Sequence, residues 1–212
     1  NWKGVSLFDG KNWKSYRKDN GDGLIDDWVY AIAIDKNEVK WFGTEGGVTS
    51  FDGKNWKSYT HNDGLGADIK DIEGYEKIDN PAEHHKETVG KEAEGYNPNY
   101  ILAATVDEQN NKWFGTWGAG LARFDGRGWS NFTTKNGLPG NFISDIQIDE
   151  KGIIWIATEG GAGFYDGKRW KTLSQKEGMI GDNIFCIAID PEGHKWFGTM
   201  EGVSRLDSLG AE

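Results

Sequence analysis

Apolar and polar residues alternate along this chain in short runs, and no long helical spacing competes with them. YAIAID from Tyr30, ILAATVD from Ile101, ISDIQID from Ile143 and FCIAID from Phe185 each alternate and end in aspartate. A brief turn follows, then a Trp-Phe-Gly-Thr run (Trp-Ile-Ala-Thr in one copy), a glycine pair, and a run ending in Phe-Asp-Gly or Tyr-Asp-Gly. The last run begins with Trp13, Trp56, Trp129 or Trp170. Runs of about four to eight residues, rich in Ile, Val, Phe, Trp and Tyr and bounded by Gly, Asp or Asn, predict strands. Asp-Gly between two such runs predicts a hairpin, because glycine accepts the positive φ of a tight turn.

The pattern has a fixed period. Trp113 to Trp155 is 42 residues and Trp155 to Trp196 is 41, whereas Trp41 to Trp113 is 72 and contains an insertion at about 66–98. Four short antiparallel strands in about 42 residues make one propeller blade. A β-sandwich leaves the period unexplained. Three units are complete, at 28–60, 99–133 and 141–174. The C-terminal runs (183–190, 195–199, then GVSRLD) and the N-terminal runs (GVSLFD at Gly4, NWKSY at Asn12) complement each other. The expectation is an all-β, four-bladed β-propeller spanning 1–212 as a single domain, its last blade closed by N- and C-terminal strands. GVSLFD and GVSRLD claim the same slot, so one strand is surplus and available for oligomerisation. The repeat tryptophans are expected to be buried between blades, each removing about 150–250 Å² from water.

Charge and cysteine usage narrow the functions. A net charge of −10 argues against nucleic acid and anionic membranes as partners. No apolar run of about 18 residues is present to span a bilayer. The single cysteine, Cys186, lies among apolar residues in NIFCIAID and is expected to be a buried, inert thiol. The chain opens mid-phrase at Asn1, as a mature or trimmed product does.

The phrase Asp-x-x-Gly-x-x-Trp-Phe/Ile-Gly/Ala-Thr-x-x-Gly, followed by Phe-Asp-Gly and later Asn-Gly-Leu, resembles the two-component-regulator propeller repeat. It reads DEKGIIWIATEGGAGFYDG from Asp149 and DPEGHKWFGTMEGVSRLD from Asp190, with NGL at Asn136 and DGL at Asp63. The likeness covers nearly all of the chain outside the insertion. It implies a propeller of extracytoplasmic sensor type, periplasmic or extracellular, that binds small molecules such as sugars. In that family the propeller is fused through a membrane helix to an output domain, and this sequence contains neither. Virginiamycin-type lyases have a similar build, but no repeat-independent His and Glu pair maps here.

Candidate sites are sought where the repeat is broken on the face carrying the loops between second and third strands and between blades. Trp117 replaces the Glu45, Glu159 and Met200 of other units and adds one residue; with Trp28 and Tyr100 it is expected to offer stacking surfaces to a ligand. Asp27, Asn99, Asn141 and Asp182 precede the innermost strands and would line an axial channel for a cation or polar ligand. The bland alternative is that they bond local backbone and start the strand. In the acidic insertion, NPAEHHKET reads as a short helix with Asn80 as N-cap. Tyr75, His84, His85 and Tyr96 are its candidate partner contacts. DNGDGLIDD from Asp19 sets Asn20, Asp22 and Asp26 at calcium-loop spacing, yet Lys18 and Val29 occupy the first and twelfth positions. A structural cation such as calcium is the only cofactor these residues suggest. No phosphate loop, nucleophile elbow or Cys-His pairing is present, and His61 and His194 fall in turns.

The expected function is therefore a non-catalytic binding or sensor-type module that recognises a small polar ligand, a glycan first, or a protein on its loop face. A scaffold docking a partner through the acidic insertion is the alternative. A lyase- or hydrolase-type enzyme would need a convergent histidine and carboxylate on that face.

Overall fold

A computed structural model describes residues 3–72 and 96–207. Its described strands form five antiparallel sheets. A hairpin of β1 (Val5–Phe8) and β2 (Trp13–Tyr16) comes first. The first four-stranded sheet holds β3 (Val29–Ile34), β4 (Lys40–Thr44), β5 (Gly47–Phe51) and β6 (Trp56–Tyr59). The second holds β7 (Asn97–Val106), β8 (Lys112–Trp117), β9 (Leu121–Phe124) and β10 (Trp129–Phe132), and the third β11 (Ile143–Ile148), β12 (Ile154–Thr158), β13 (Gly161–Tyr165) and β14 (Trp170–Leu173). The last sheet has three strands, β15 (Ile184–Ile189), β16 (Lys195–Thr199) and β17 (Val203–Leu206). Each sheet is an up-and-down meander, as the repeat predicts.

Two aspartates per unit explain why the strands turn where they do. Asp35 Oδ1 accepts from the amides of Asn37 (2.8 Å) and Val39 (3.1 Å), while Oδ2 accepts from Trp41 Nε1 (3.1 Å). The indole bond recurs from Trp113 to Asp107 (2.8 Å), Trp155 to Asp149 (3.1 Å) and Trp196 to Asp190 (2.9 Å). One carboxylate thus closes the hairpin and aims the ring of the next strand. The second aspartate, Asp52, accepts from Lys54 N (2.8 Å) and Asn55 N (2.7 Å) ahead of β6. Gly53 in that turn holds φ +98°, the left-handed region the Asp-Gly pair predicted.

Indoles fill the wedges between sheets. Those of the second strands face the following sheet: Trp41 packs on Phe114 (6.1 Å) and Phe124 (5.7 Å), and Trp155 on Phe197 (6.0 Å). Those of the fourth strands face the preceding sheet, as Trp129 does against Tyr59 (5.8 Å) and Trp170 against Phe132 (6.2 Å). Three apolar clusters result, one at each junction between consecutive sheets from the first to the last.

The expected closure of a last blade does not form. Among the described residues β1 pairs only with β2 and β17 only with β16, and the strand order of each sheet ends there. The hairpin instead rests on the first sheet, through Gly4 N to Asp27 O (2.8 Å) and Tyr16 against Trp56 (5.2 Å). β1 and β17 carry the same phrase and so answer to the same strand position of the repeat. Two sequence expectations fail with the closure. Trp41, Trp113 and Trp155 are 4%, 3% and 0% exposed, but Trp196 is 38% and Trp13 71% exposed, because among the described residues no further sheet packs over either. Cys186, expected to be buried, is exposed for the same reason. Its repeat equivalents Ala31 and Ala103 are buried under following sheets.

Candidate functional site

The connections between sheets share one local design. Each fourth strand is followed by Thr60, Thr133 or Ser174, which caps a 3-10 turn (His61–Asp63, Thr134–Asn136, Gln175–Glu177), and the chain exits through Gly64, Gly137 or Gly178 at φ +102°, +95° and +100°. The Asn-Gly-Leu motif is thus a capped turn followed by a left-handed glycine and a buried anchor such as Leu65 or Leu138.

This design accounts for the expected axial ring. Asp27 Oδ1 accepts from Lys18 N (2.7 Å), Asn99 from His61 N (2.6 Å), Asn141 from Thr134 N (3.0 Å) and Asp182 from Gln175 N (2.6 Å). All four side chains cap the first amide of the preceding connection, so the recurring role is backbone support, the bland alternative. Asp22 Oδ2 accepts from Arg17 N (3.0 Å) and Asp26 Oδ1 from Trp28 N (2.8 Å), with Lys18 Nζ 3.9 Å from Asp26 Oδ2. Each thus has one carboxylate oxygen on a separate backbone amide, and Asn20 is exposed beside them.

Trp117 is not the exposed platform its position suggested. The ring lies buried, stacked on Tyr100 (5.0 Å, 10° between planes) and edge-on to Phe142 (4.6 Å). Tyr100 is buried in turn and meets Tyr30 at 4.9 Å. Burial, above all, pushes the Tyr100 phenol far up, and the Tyr30 phenol rises for the same reason. Trp28 is half-buried. The physical reason is visible by comparison. In the third sheet Glu159 accepts from the amides of Asn141 (2.9 Å) and Phe142 (3.0 Å), and burial raises its carboxyl pKa. In the second sheet Trp117 takes that place, Asn97 Oδ1 serves the amide of Asn99 (3.0 Å), and the aromatic ring replaces the carboxylate by covering Tyr100. Tyr75, His84 and His85 lie outside the described residues. Tyr96, at the edge of the insertion, donates its hydroxyl to Ala67 O (2.6 Å).

The structure instead brings together residues that sequence reasoning missed. A cleft of about 490 Å³ lies between the connection after β6 and the one after β10, lined by His61, Asn62, Asp68, Asp71, Asn131 and Lys135 among others. His61 Nδ1 lies 2.9 Å from Leu65 O and Nε2 3.1 Å from Asp68 Oδ1, so both ring nitrogens face oxygen acceptors. Lys70 Nζ approaches Asp68 Oδ2 to 2.8 Å, and this cation, then His61, holds the Asp68 carboxyl below the usual range. Across the cleft Lys135 Nζ donates to Lys70 O (3.0 Å) and sits 3.8 Å from Asp71 Oδ1. Asn131 donates to Gly64 O (2.9 Å), while its Oδ1 is buried with no hydrogen-bond partner among the described residues. The available signal was substitution at repeat positions: Asn131 stands where Ser58 and Thr172 stand, and His61 where Thr134 and Gln175 stand.

Comparison with known proteins agrees with this architecture. Residues 137–160 match the family model described as two component regulator propeller. An extracellular domain assigned to the hybrid two component system BT3049 of B. thetaiotaomicron superposes with TM-score 0.70 at 22% identity, over 95% of this chain and 25% of that one. One assigned to the one component system BT4673 of the same organism gives 0.64 at 21%, over 93% and 25%. Virginiamycin B lyase from Staphylococcus aureus gives 0.57 at 14%, over 95% and 61%. The chain thus spans about a quarter of the two extracellular domains. No curated protein matches the sequence significantly. No described helix is long and apolar enough to cross a membrane. The fold is a propeller-type array of antiparallel sheets, and one stretch of its recurring unit, residues 137–160, matches the two component regulator propeller model.

Proposed function

We propose that this chain is a non-catalytic binding module of an extracytoplasmic sensor and that the polar cleft between its inter-sheet connections takes a small neutral polyol, a glycan unit in the first instance. The observation that carries the reading is the cleft itself. Its volume falls in the range of small-molecule sites, about 300–1,000 Å³. Its lining mixes carboxylates, amides, an imidazole and an ammonium group, the donor and acceptor set that hydroxyl groups satisfy. The buried Trp117–Tyr100 stack supports the adjoining loop face. Likeness in fold to extracellular domains of two component and one component systems fits the sensor reading.

Titration calorimetry of the whole chain against neutral and acidic oligosaccharides tests this. A neutral sugar should bind the native protein and bind Lys135→Ala and Asp68→Asn at least about tenfold more weakly, about 1.4 kcal/mol. The Lys135 and Asp68 side chains are 38% and 49% exposed, so melting temperatures should stay close to the native value. Binding unchanged in both variants, or no sugar bound by the native chain, overturns the proposal.

A further inference from the structure

A second cleft, of about 610 Å³, opens at the junction of the first and second sheets, and we infer that it takes a small aromatic carboxylate. The buried Trp41 and Ser50 form its floor, Tyr59, Phe124 and Trp129 its walls, and the exposed Lys57 and Arg127 its rim. Both flanking sheets have four described strands, so the cleft lies inside the array. It shares no lining residue with the polar cleft, and the inference does not rest on the sugar reading.

A break in the repeat makes the space. Across the ladder from the indole of each second strand stands Ser50 (opposite Trp41), Arg123 (opposite Trp113), Phe164 (opposite Trp155) or Arg205 (opposite Trp196). Directly opposed residues share a face of the sheet, and a long side chain there covers the indole. The guanidinium of Arg123 lies 5.7 Å from the centre of the Trp113 ring, that of Arg205 5.4 Å from Trp196, and Phe164 stacks on Trp155 at 5.0 Å. Ser50 is too short for this and donates its Oγ to Lys57 O (3.2 Å). Tyr59 does not stand in for the longer group. It holds the place that Phe132 holds on Trp113, each ring 5.8 Å from its indole, and Trp113 has Arg123 as well.

Charge decides which group suits the space. Lys112 brings its Nζ to 5.2 Å from the Trp41 ring and 3.1 Å from Asp35 Oδ2. Lys195 does the same to Trp155 and Asp149, and there the cross-strand cover is a phenyl ring. Ile154 stands in the lysine's place at the junction into the third sheet, and there the cover is Arg123. Each of these three indoles thus meets one cation. Trp41 has its ammonium in Lys112, so a second cation above Ser50 would be repelled, whereas a planar ring finds aromatic walls. The rim supplies the rest. Asp52 is engaged by the Asn55 amide, the Asn55 side chain and the Lys54 amide, which hold its pKa down at about 2. Asp63 Oδ2 accepts from Thr60 N (2.8 Å) and Oγ1 (3.0 Å). Both carboxylates serve their own turns, while Lys57, directly opposite Ser50, and Arg127 suit an anionic group carried by the ring.

Saturation-transfer NMR titration of the whole chain tests this, with phenylacetate as ligand and cyclohexylacetate and 2-phenylethanol as controls. The native chain should bind phenylacetate with a Kd of about 1 mM or tighter, and each control at least about fivefold more weakly. Ser50→Phe places the protein's own ring where Phe164 stands in the third sheet; it should abolish binding and keep or raise the melting temperature. The double variant Lys57→Ala, Arg127→Ala should weaken phenylacetate about fivefold or more and leave 2-phenylethanol unchanged, and it decides the matter should Ser50→Phe not fold. Lys135→Ala, in the polar cleft, should leave phenylacetate binding unaltered; a loss there would place the ligand in the other cleft and overturn the inference. So would a native chain that binds no phenylacetate, equal binding of cyclohexylacetate, or binding that survives Ser50→Phe or the rim substitutions.

Discussion

Trp155→Ala is expected to lower the unfolding free energy by about 3–5 kcal/mol, the usual cost of emptying a buried aromatic position. The ring is fully buried, stacks on Phe164 at 5.0 Å, and packs on Phe197 of the last sheet. Its loss opens a cavity at a junction and removes the indole donor from Asp149. Trp155→Phe keeps most of the volume and loses the hydrogen bond, so a cost of about 1–3 kcal/mol should separate the polar from the packing contribution. Trp13→Ala, at the same kind of repeat landmark but 71% exposed, should change stability by no more than about 0.5 kcal/mol. Urea titration followed by far-ultraviolet circular dichroism measures all three. Equal losses for Trp155→Ala and Trp13→Ala would show that burial between sheets is not what these indoles contribute.

Lys112→Met should cost about 3–5 kcal/mol near neutral pH, because it leaves the Asp35 carboxylate buried without its cation. Burial pushes the Asp35 carboxyl up, but hydrogen bonds from Trp41, Val39, Asn37 and Lys112 together outweigh it and hold the pKa below the ordinary value. Asp149 behaves likewise, with Trp155, Lys195 and Ile153 opposing burial. A carboxyl whose folded pKa is depressed adds stability that is fully present above its unfolded value, about 3.9, and is lost as pH falls through the folded value. The native chain should therefore lose stability below about pH 4, and the gap between it and Lys112→Met should narrow in the same range. Asp35→Asn in the Lys112→Met background should recover part of the loss, since the stranded charge is gone. A pH-independent gap would mean that the lysine stem, rather than the ion pair, supports the junction.

The hydrophobic alternation, the spacing from aspartate to tryptophan and the Asp-Gly turns made the sheets legible, because each is a contact within one unit. What lies between units was less so. The exposure of Trp196 and Cys186 depends on whether a following sheet exists, and a residue's own neighbours in sequence do not carry that information. Trp117 was readable as a break in the repeat. Its inward orientation was not, since it depends on Tyr100 presenting a ring to receive it. The Asn99 and Asn141 positions looked like a channel lining because they recur, and recurrence proved to mark a backbone bond made in every unit. The cleft was hidden for a different reason: His61 and Lys135 belong to connections of different sheets and meet only after the sheets have packed.

The order of the sheets also bears on how the molecule comes apart. β3, β7, β11 and β15 touch in sequence, and each sheet leans chiefly on its immediate neighbours. In such a linear stack unravelling starts at an edge and runs inward. Pulled by its ends, the chain should therefore yield in successive steps, the outer hairpin before the middle sheets. Amide exchange should slow toward β12, whose residues are buried along its whole length.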